Sequence, residues 1–265
     1  MADDCWDRAA QSYFDFWVPR LIPYYEDLVQ KAGPRPGERI LVTTAGPGAE
    51  LIALAQALKG KGTVVATDSS PAMIERAKEA AAAAELALPI TFAVADARDT
   101  MGAKWDLVLS SFGLWQFEDR VDVLRAWSEA LTVDGRVGIL EWGPPDPTGP
   151  FELVDDSLRS IEPEVAEVTR LRELAAREPF AELLGEAGLR MVRHAVVRHR
   201  MDFGSAEGFF KALCAGCSYL QVCDQIGDDR TNRVADTFYA RLTPPSPRTP
   251  LSFEPAASIA IAQAM

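Results

Sequence analysis

The sequence predicts an α/β protein in which a mostly parallel sheet carries helices on both faces. Three observations point to it. Short apolar runs such as Ile40-Leu41-Val42 and Thr63-Val64-Val65-Ala66-Thr67 are separated by segments of helical periodicity, the pattern of strands buried on both sides. From Glu38 to Asp68 the elements read strand, tight turn, helix and strand, which is a βαβ unit. The chain of 265 residues is 48% hydrophobic and 25% charged, enough apolar material for a core that needs no disulfide or metal.

Each element follows from local chemistry. Residues 1–30 read as helical and carry Trp6, Tyr13, Phe14, Phe16, Trp17, Tyr24 and Tyr25, either packed on the domain or roofing a ligand. Lys31–Gly37 is turn chemistry and opens the main domain. Ala45-Gly46-Pro47-Gly48-Ala49 is the tight turn after the first strand, and Glu50 to Leu58 is the helix after it. Ser70 caps a helix running to about Glu85, with Pro71 at its first position. Strands follow at Ile90–Ala95, ending in Asp96-Ala97, and at Trp105–Ser110. A helix at about Arg120–Leu131, the Asp134-Gly135 turn and a fifth strand at Arg136–Trp142 complete the alternation.

Gly143–Pro150 breaks the pattern. The charged segment 151–178 is expected to be a helical cap over the carboxyl edge of the sheet. Phe180–Leu189 reads as a helix and Arg190–Phe203 as one long strand. Two helices, about Ala206–Ile226 and Asp229–Leu242, precede a proline-rich loop and a last strand at Ala257–Ala262. The expected organisation is an N-terminal helical cap over 1–30 and a main domain over 31–265, with cap insertions at about 147–178 and 203–250.

The formal net charge of −12 argues against a protein that tracks phosphate backbones, which needs clustered Lys and Arg. No apolar run approaches membrane-spanning length, and the first residues lack the basic flank and apolar core of a secretory signal. Four cysteines (Cys5, Cys214, Cys217, Cys223) do not make a dense disulfide framework. A cytoplasmic protein is the expectation.

The βαβ unit predicts a nucleoside-bearing ligand. Its glycines stand where backbone passes close to a ligand, and Asp68 lies 20 residues beyond Gly48, the spacing of an acid that holds ribose hydroxyls. A dinucleotide fingerprint wants a third glycine where Leu51 stands. A P-loop wants a lysine that Gly48-Ala49-Glu50 lacks, and Glu50 would repel phosphate from the helix N-terminus. A cofactor without phosphates meets both objections.

Four segments in order carry a resemblance. Arg39-Ile-Leu-Val-Thr-Thr-Ala-Gly-Pro-Gly48 resembles the first motif of class I S-adenosyl-L-methionine (SAM)-dependent methyltransferases, and Val64-Val-Ala-Thr-Asp68-Ser-Ser-Pro-Ala-Met73 the second. Val94-Ala-Asp96-Ala97 resembles the third and Asp106–Phe117 the fourth, with Leu131–Trp142 similar to the turn and strand that follow. The likeness is to the ubiquinone/menaquinone-type branch, which acts mostly on small molecules, and spans about residues 5–143. It implies a Rossmann-like sheet of seven strands, mostly parallel, with an antiparallel last strand. It also implies SAM as cofactor and a small-molecule methyl acceptor.

The resemblance assigns roles by position. Gly46 and Gly48 would admit the methionine part of SAM, and Asp68, with Ser69 beside it, would hold the ribose. Met73 would pack on the adenine, and Asp96 would bond its amino group near the Ala97 amide. Ser110 would lie near the amino acid moiety, and Tyr13 would cover it. Val42 and Thr44 depart from the pattern, which has an acid and a glycine there; Glu50 or Glu141 are the carboxylates that could replace the acid. An alternative is a protein of this fold with a non-methylating, regulatory or binding role.

Methyl transfer needs alignment more than acid–base chemistry, and the sequence shows no strong catalytic pair. Trp115 and Gln116, just past the fourth strand, are expected to touch the acceptor. His194 and His199 point to opposite faces of a strand, so at most one can address the site, and His199 is the candidate. On a continuous helix Cys214 and Cys223 would face apart, so the cysteines are expected to be core residues with no metal site.

Overall fold

A computed structural model describes residues 4–165, 174 and 176–265. The N-terminal segment is α1 (Cys5–Ser12), a π-helical turn (Tyr13–Trp17) and α2 (Val18–Ala32). The alternating core follows as β1 (Arg39–Thr43), α3 (Glu50–Leu58), β2 (Thr63–Asp68), α4 (Pro71–Ala83), β3 (Ile90–Val94), β4 (Trp105–Ser111), α5 (Arg120–Glu129) and β5 (Leu131–Trp142). Then come α6 (Pro150–Ile161), α7 (Arg177–Glu186), β6 (Leu189–Arg198), β7 (Met201–Asp202), α8 (Ala206–Cys214), α9 (Cys217–Ile226), α10 (Asp228–Ala240), β8 (Ser252–Phe253) and β9 (Ala256–Ala264).

Seven strands form one sheet in the order β3-β2-β1-β4-β5-β9-β6. β1 to β5 pair in parallel, and the last strand, β9, is antiparallel to both of its neighbours. Strand residues alternate between two cores, as the period of a strand requires. Ile40 and Val42 pack with α2 and α3 on one face, while Leu41 packs with α5 and α7 on the other. From β1 the chain adds β2 and β3 on one side and then crosses to add β4 and β5 on the other. The switch between β1 and β4 therefore opens a crevice at their carboxyl ends, where ligands bind in such sheets.

The Ser70 cap forms as expected, its hydroxyl accepting the Met73 amide at 3.1 Å. Two elements differ from expectation. The long strand 190–203 stops at Arg198, and Met201-Asp202 pairs instead with Ser252-Phe253 in a separate ribbon. Tyr24 causes the exit: its hydroxyl accepts the His199 amide at 3.0 Å and donates to the Pro255 carbonyl at 2.7 Å. The helix 206–226 breaks into α8 and α9 at Ala215-Gly216. There the Trp17 indole donates to the Ala212 carbonyl at 2.9 Å and lies against Gly216. This break turns Cys223 back towards Cys214, so the two thiols interact rather than facing apart. Of the segment 151–178, Pro150–Ile161 and the start of α7 are helical, and residues 166–173 and 175 lie outside the described residues. No helix among the described residues is long and apolar enough to cross a membrane.

Candidate active site

The β1–α3 turn rises over the crevice and is tied to the next strand through a carboxylate. Asp68, closing β2, accepts the Gly46 amide at 2.8 Å through one oxygen and the Ser70 amide at 2.9 Å through the other. The two glycines of the turn have different duties. Gly46 has φ +50°, and a Cβ there would meet nothing within 4 Å, so its backbone faces open space. At Gly48, φ +74°, a Cβ would lie 2.8 Å from Leu51 Cδ1 and 3.0 Å from Ala77 Cβ. Gly48 therefore lets α3 pack against α4 and does not line the cavity.

The cavity beneath this turn measures about 110 Å³. Tyr13, Gly46, Asp68 and Ser69 line it, joined by Met73, Asp96 and Ala97 from α4 and the loop after β3. Gln116, expected at the acceptor, lies here instead: its side-chain oxygen accepts the Trp6 indole N–H at 2.6 Å, holding α1 over the cleft. Ser110 does not reach the cavity. It turns inward, 2.9 Å from the Thr44 hydroxyl, and the alternation of the strand presents Ser111 in its place.

α1 closes the roof. Asp7 accepts the Ser70 hydroxyl at 2.5 Å and the Ala72 amide at 3.0 Å, so its carboxylate sits at the N-terminus of α4.

The cavity is acidic: Glu50, Asp68 and Asp96 line it, and among the described residues no Lys, Arg or His does. Burial pushes Glu50 up to about 7, and Glu141 behind it, whose oxygen accepts the Leu114 amide at 2.7 Å, up to about 8. Burial likewise raises Tyr13, hydrogen-bonded to Tyr25, to about 12, so it stays a neutral phenol. The Glu50 Oε1 has no hydrogen-bond partner among the described residues, and the Ser111 hydroxyl lies next to that carboxylate. Val42, where the first motif usually has an acid, is fully buried between sheet and helices and does not face the cleft. These donors and acceptors suit a nucleoside with a polar, cationic tail: a ribose acceptor at Asp68, an apolar bed at Met73, and the unpaired Glu50 Oε1 at the far end.

A second cavity of about 450 Å³ adjoins the first, and Trp6, Tyr13 and Phe112 line both. Its walls are aromatic, with Phe151 packed against both Trp17 and Trp142, and Trp115 also lining it. Trp115 is held by its indole N–H, which donates to the Phe112 carbonyl at 2.8 Å. The polar end has Asp155, which accepts the Tyr219 hydroxyl, and the Asp156–Arg159 pair at 2.9 Å. Sequence reading missed Phe112, Trp142, Phe151 and Tyr219, since each lies on an element whose approach to the cleft depends on long-range packing. Only the run of aromatics in residues 1–30 and the position of Trp115 hinted at this chamber.

Neither histidine lines either cavity. His199 Nε2 pairs with Asp27 at 2.7 Å on α2, because the chain has already left the sheet there. His194 stays on β6, its Nε2 buried without a partner among the described residues. Cys217 lies at the wall of the second cavity, while the Cys5 thiol donates to the Cys217 carbonyl at 3.0 Å. No group of three or more His, Cys, Asp or Glu among the described residues is placed to hold a metal ion.

Comparisons with known proteins agree with this geometry. Residues 40–135 match the family model described as a methyltransferase domain. The chain is 30% identical over 204 residues to the nocamycin O-methyltransferase of Saccharothrix syringae, covering 71% of each. It is 31% identical over 134 residues to the aklanonic acid methyltransferase DauC of Streptomyces sp. strain C5, covering 49% of this chain and 60% of that one. A SAM-dependent methyltransferase from Geobacter sulfurreducens, solved with S-adenosyl-L-homocysteine, superposes with a TM-score of 0.52 at 14% identity, covering 93% of this chain and 91% of its own. The [4+2]-cyclase SpnF superposes with a TM-score of 0.59 at 16% identity, over 94% of this chain and 82% of its own, so the fold alone does not name a reaction. The sequence relationship does what the fold cannot, and with the order of strands, the Asp68-centred cleft and the matched motifs it makes this chain a member of the class I SAM-dependent methyltransferase family.

Proposed function

We propose that this protein transfers the methyl group of SAM to a hydroxyl oxygen of a small, largely apolar, ring-bearing molecule. The observation that carries the proposal is the aromatic chamber of about 450 Å³ sharing a wall with the nucleoside cleft. Such a chamber favours flat apolar ligands, with few polar groups to orient them. Oxygen as the acceptor atom is supported by the 30% identity to a protein named as an O-methyltransferase.

In this reading Asp68 holds the ribose hydroxyls, with Ser69 beside it, and Gly46 lets the backbone approach the ligand. Met73 packs on the adenine, while Asp96 and the Ala97 amide address its edge. When bound, SAM would supply an electrophilic sulfonium methyl that passes to the acceptor oxygen as the S–CH3 bond breaks, with S-adenosyl-L-homocysteine leaving and the hydroxyl proton released to water, so the protein's task is to align the acceptor and keep competing water from the methyl. Alignment of that kind is worth about 7–11 kcal/mol of barrier. Tyr13 and Phe112 stand at the shared wall and set the approach, and Trp115 and Phe151 clamp the acceptor ring. Tyr219, held by Asp155, gives the chamber its polar end. The helical segments 1–30, 147–178 and 203–250 act as caps around the acceptor.

A non-nucleic-acid acceptor is supported by the net charge of −12 and by the acidic cleft. Cysteines too few and too widely spaced for a dense disulfide framework support a reducing, cytoplasmic setting.

Incubation with methyl-labelled SAM and a panel of apolar phenols, with aliphatic amines as controls, tests the acceptor class. Label is expected in a phenol ether. Cofactor that binds yet transfers label only to amines, or to nothing in the panel, would overturn the proposal.

A further inference from the structure

We infer that Glu50, in the first turn of α3, binds the ammonium group of the cofactor in place of the strand carboxylate missing at Val42. This rests on the cofactor assignment and extends it to a residue outside the motif positions.

Glu50 is only 2% exposed, yet it lines the cleft and its Oε1 has no partner among the described residues. A buried carboxylate without a counter-charge is costly, so such a group is kept where a cation arrives. The other two carboxylates of the cleft are tied to protein groups and stand at its ribose and adenine ends. Asp68 accepts two backbone amides, and Asp96 pairs with Arg98 at 3.1 Å. The Glu50 Oε1 makes no hydrogen bond among the described residues, and the Ser111 hydroxyl lies beside this carboxylate and favours its charged form.

The placement fits the length of the molecule. Asp96 and Ala97 follow β3, Asp68 ends β2, and Ser111 ends β4, in a sheet ordered β3-β2-β1-β4. Neighbouring strands lie about 4.8 Å apart, so three steps span roughly 14 Å. An adenosine laid over β3 and β2 with its ribose at Asp68 therefore brings its amino acid tail to β1 and β4. There Glu50 waits, aligned with Tyr13, Tyr25 and Ser111. The tail's ammonium meets the Glu50 carboxylate, with the Ser111 hydroxyl beside it.

Titration calorimetry on the wild type, Glu50→Gln and Glu50→Asp tests this with three ligands. SAM and S-adenosyl-L-homocysteine carry the ammonium, whereas 5′-methylthioadenosine lacks the amino acid. Glu50→Gln is expected to weaken SAM and S-adenosyl-L-homocysteine at least tenfold and to leave 5′-methylthioadenosine within twofold. Glu50→Asp, which keeps the charge but shortens the reach, should fall between. Retained 5′-methylthioadenosine binding also shows that each variant is folded. Unchanged SAM affinity in Glu50→Gln, or equal losses for all three ligands, would overturn the inference. Wild-type protein that binds none of the three would overturn the cofactor assignment beneath it.

Discussion

The Thr44 side chain fills the space that a side chain on Gly113 would need: a Cβ on Gly113 would lie 2.4 Å from Thr44 Oγ1 and 2.6 Å from its Cβ. Thr44 has φ +52°, a conformation that suits glycine and costs a β-branched residue about 1–2 kcal/mol. Its hydroxyl is 2.6 Å from its neighbour Thr43's carbonyl and 2.9 Å from Ser110 Oγ, which holds it there. The lack of a side chain at Gly113, just after β4, thus gives Thr44 the space it occupies.

Gly113→Ala is expected to destabilise the protein by about 1–3 kcal/mol through this collision. In a Thr44→Gly background the same change should cost clearly less. Urea denaturation of the four proteins in the cycle measures the coupling. Equal costs in both backgrounds would mean that the two residues do not share the space.

Stability of the ligand-free protein should fall as pH rises. Burial raises Glu50 to about 7 and Glu141 to about 8, from 4.5 in an unfolded chain. Between those values the folded state holds protons that the unfolded state has released. The destabilisation is absent below about pH 4.5 and complete above about pH 8. The denaturation midpoint should therefore be higher near pH 6 than near pH 8.5, and Glu141→Gln should flatten the difference. A midpoint that rises over this range would contradict the assignment.

Asp68→Ala should weaken SAM binding at least tenfold, since it removes the ribose acceptor and unties the Gly46 turn from α4. Calorimetry reads the loss, and unchanged affinity would show that the ribose lies elsewhere.

α1 should control how long the cofactor stays. Asp7→Ala removes the bonds to Ser70 and Ala72, worth about 1 kcal/mol as a helix cap. Trp6→Ala removes the tie to Gln116. Both are expected to speed cofactor release several-fold in stopped-flow fluorescence, while a structural role without gating would leave the release rate as it was.

Phe151→Ala should separate the two cavities functionally. Its ring packs 6.1 Å from Trp17 and 5.3 Å from Trp142, centroid to centroid, in the wall of the larger one. The acceptor KM is expected to rise at least tenfold, with SAM affinity changed less than twofold. Loss of SAM binding in proportion would place Phe151 at the wrong cavity.

The sequence alone determined the parallel sheet and the βαβ unit that points to a nucleoside-bearing ligand, and its motifs, through their resemblance to a family, named the cofactor. Periodicity, turn glycines and acids at strand ends are local features, and the βαβ unit is written in the stretch from Glu38 to Asp68. Tertiary structure decided what the local code leaves open. Gly48 packs helices and Gly46 faces open space, because only the approach of Leu51 and Ala77 distinguishes two glycines in one turn. Ser111 rather than Ser110 reaches the cleft, because the bond to Thr44 sets which way the strand end turns. His199 leaves the sheet because Tyr24, 175 residues earlier, holds the chain out of it. The aromatic chamber is built from segments as far apart as Trp17 and Tyr219, and such contacts carry no signature in sequence.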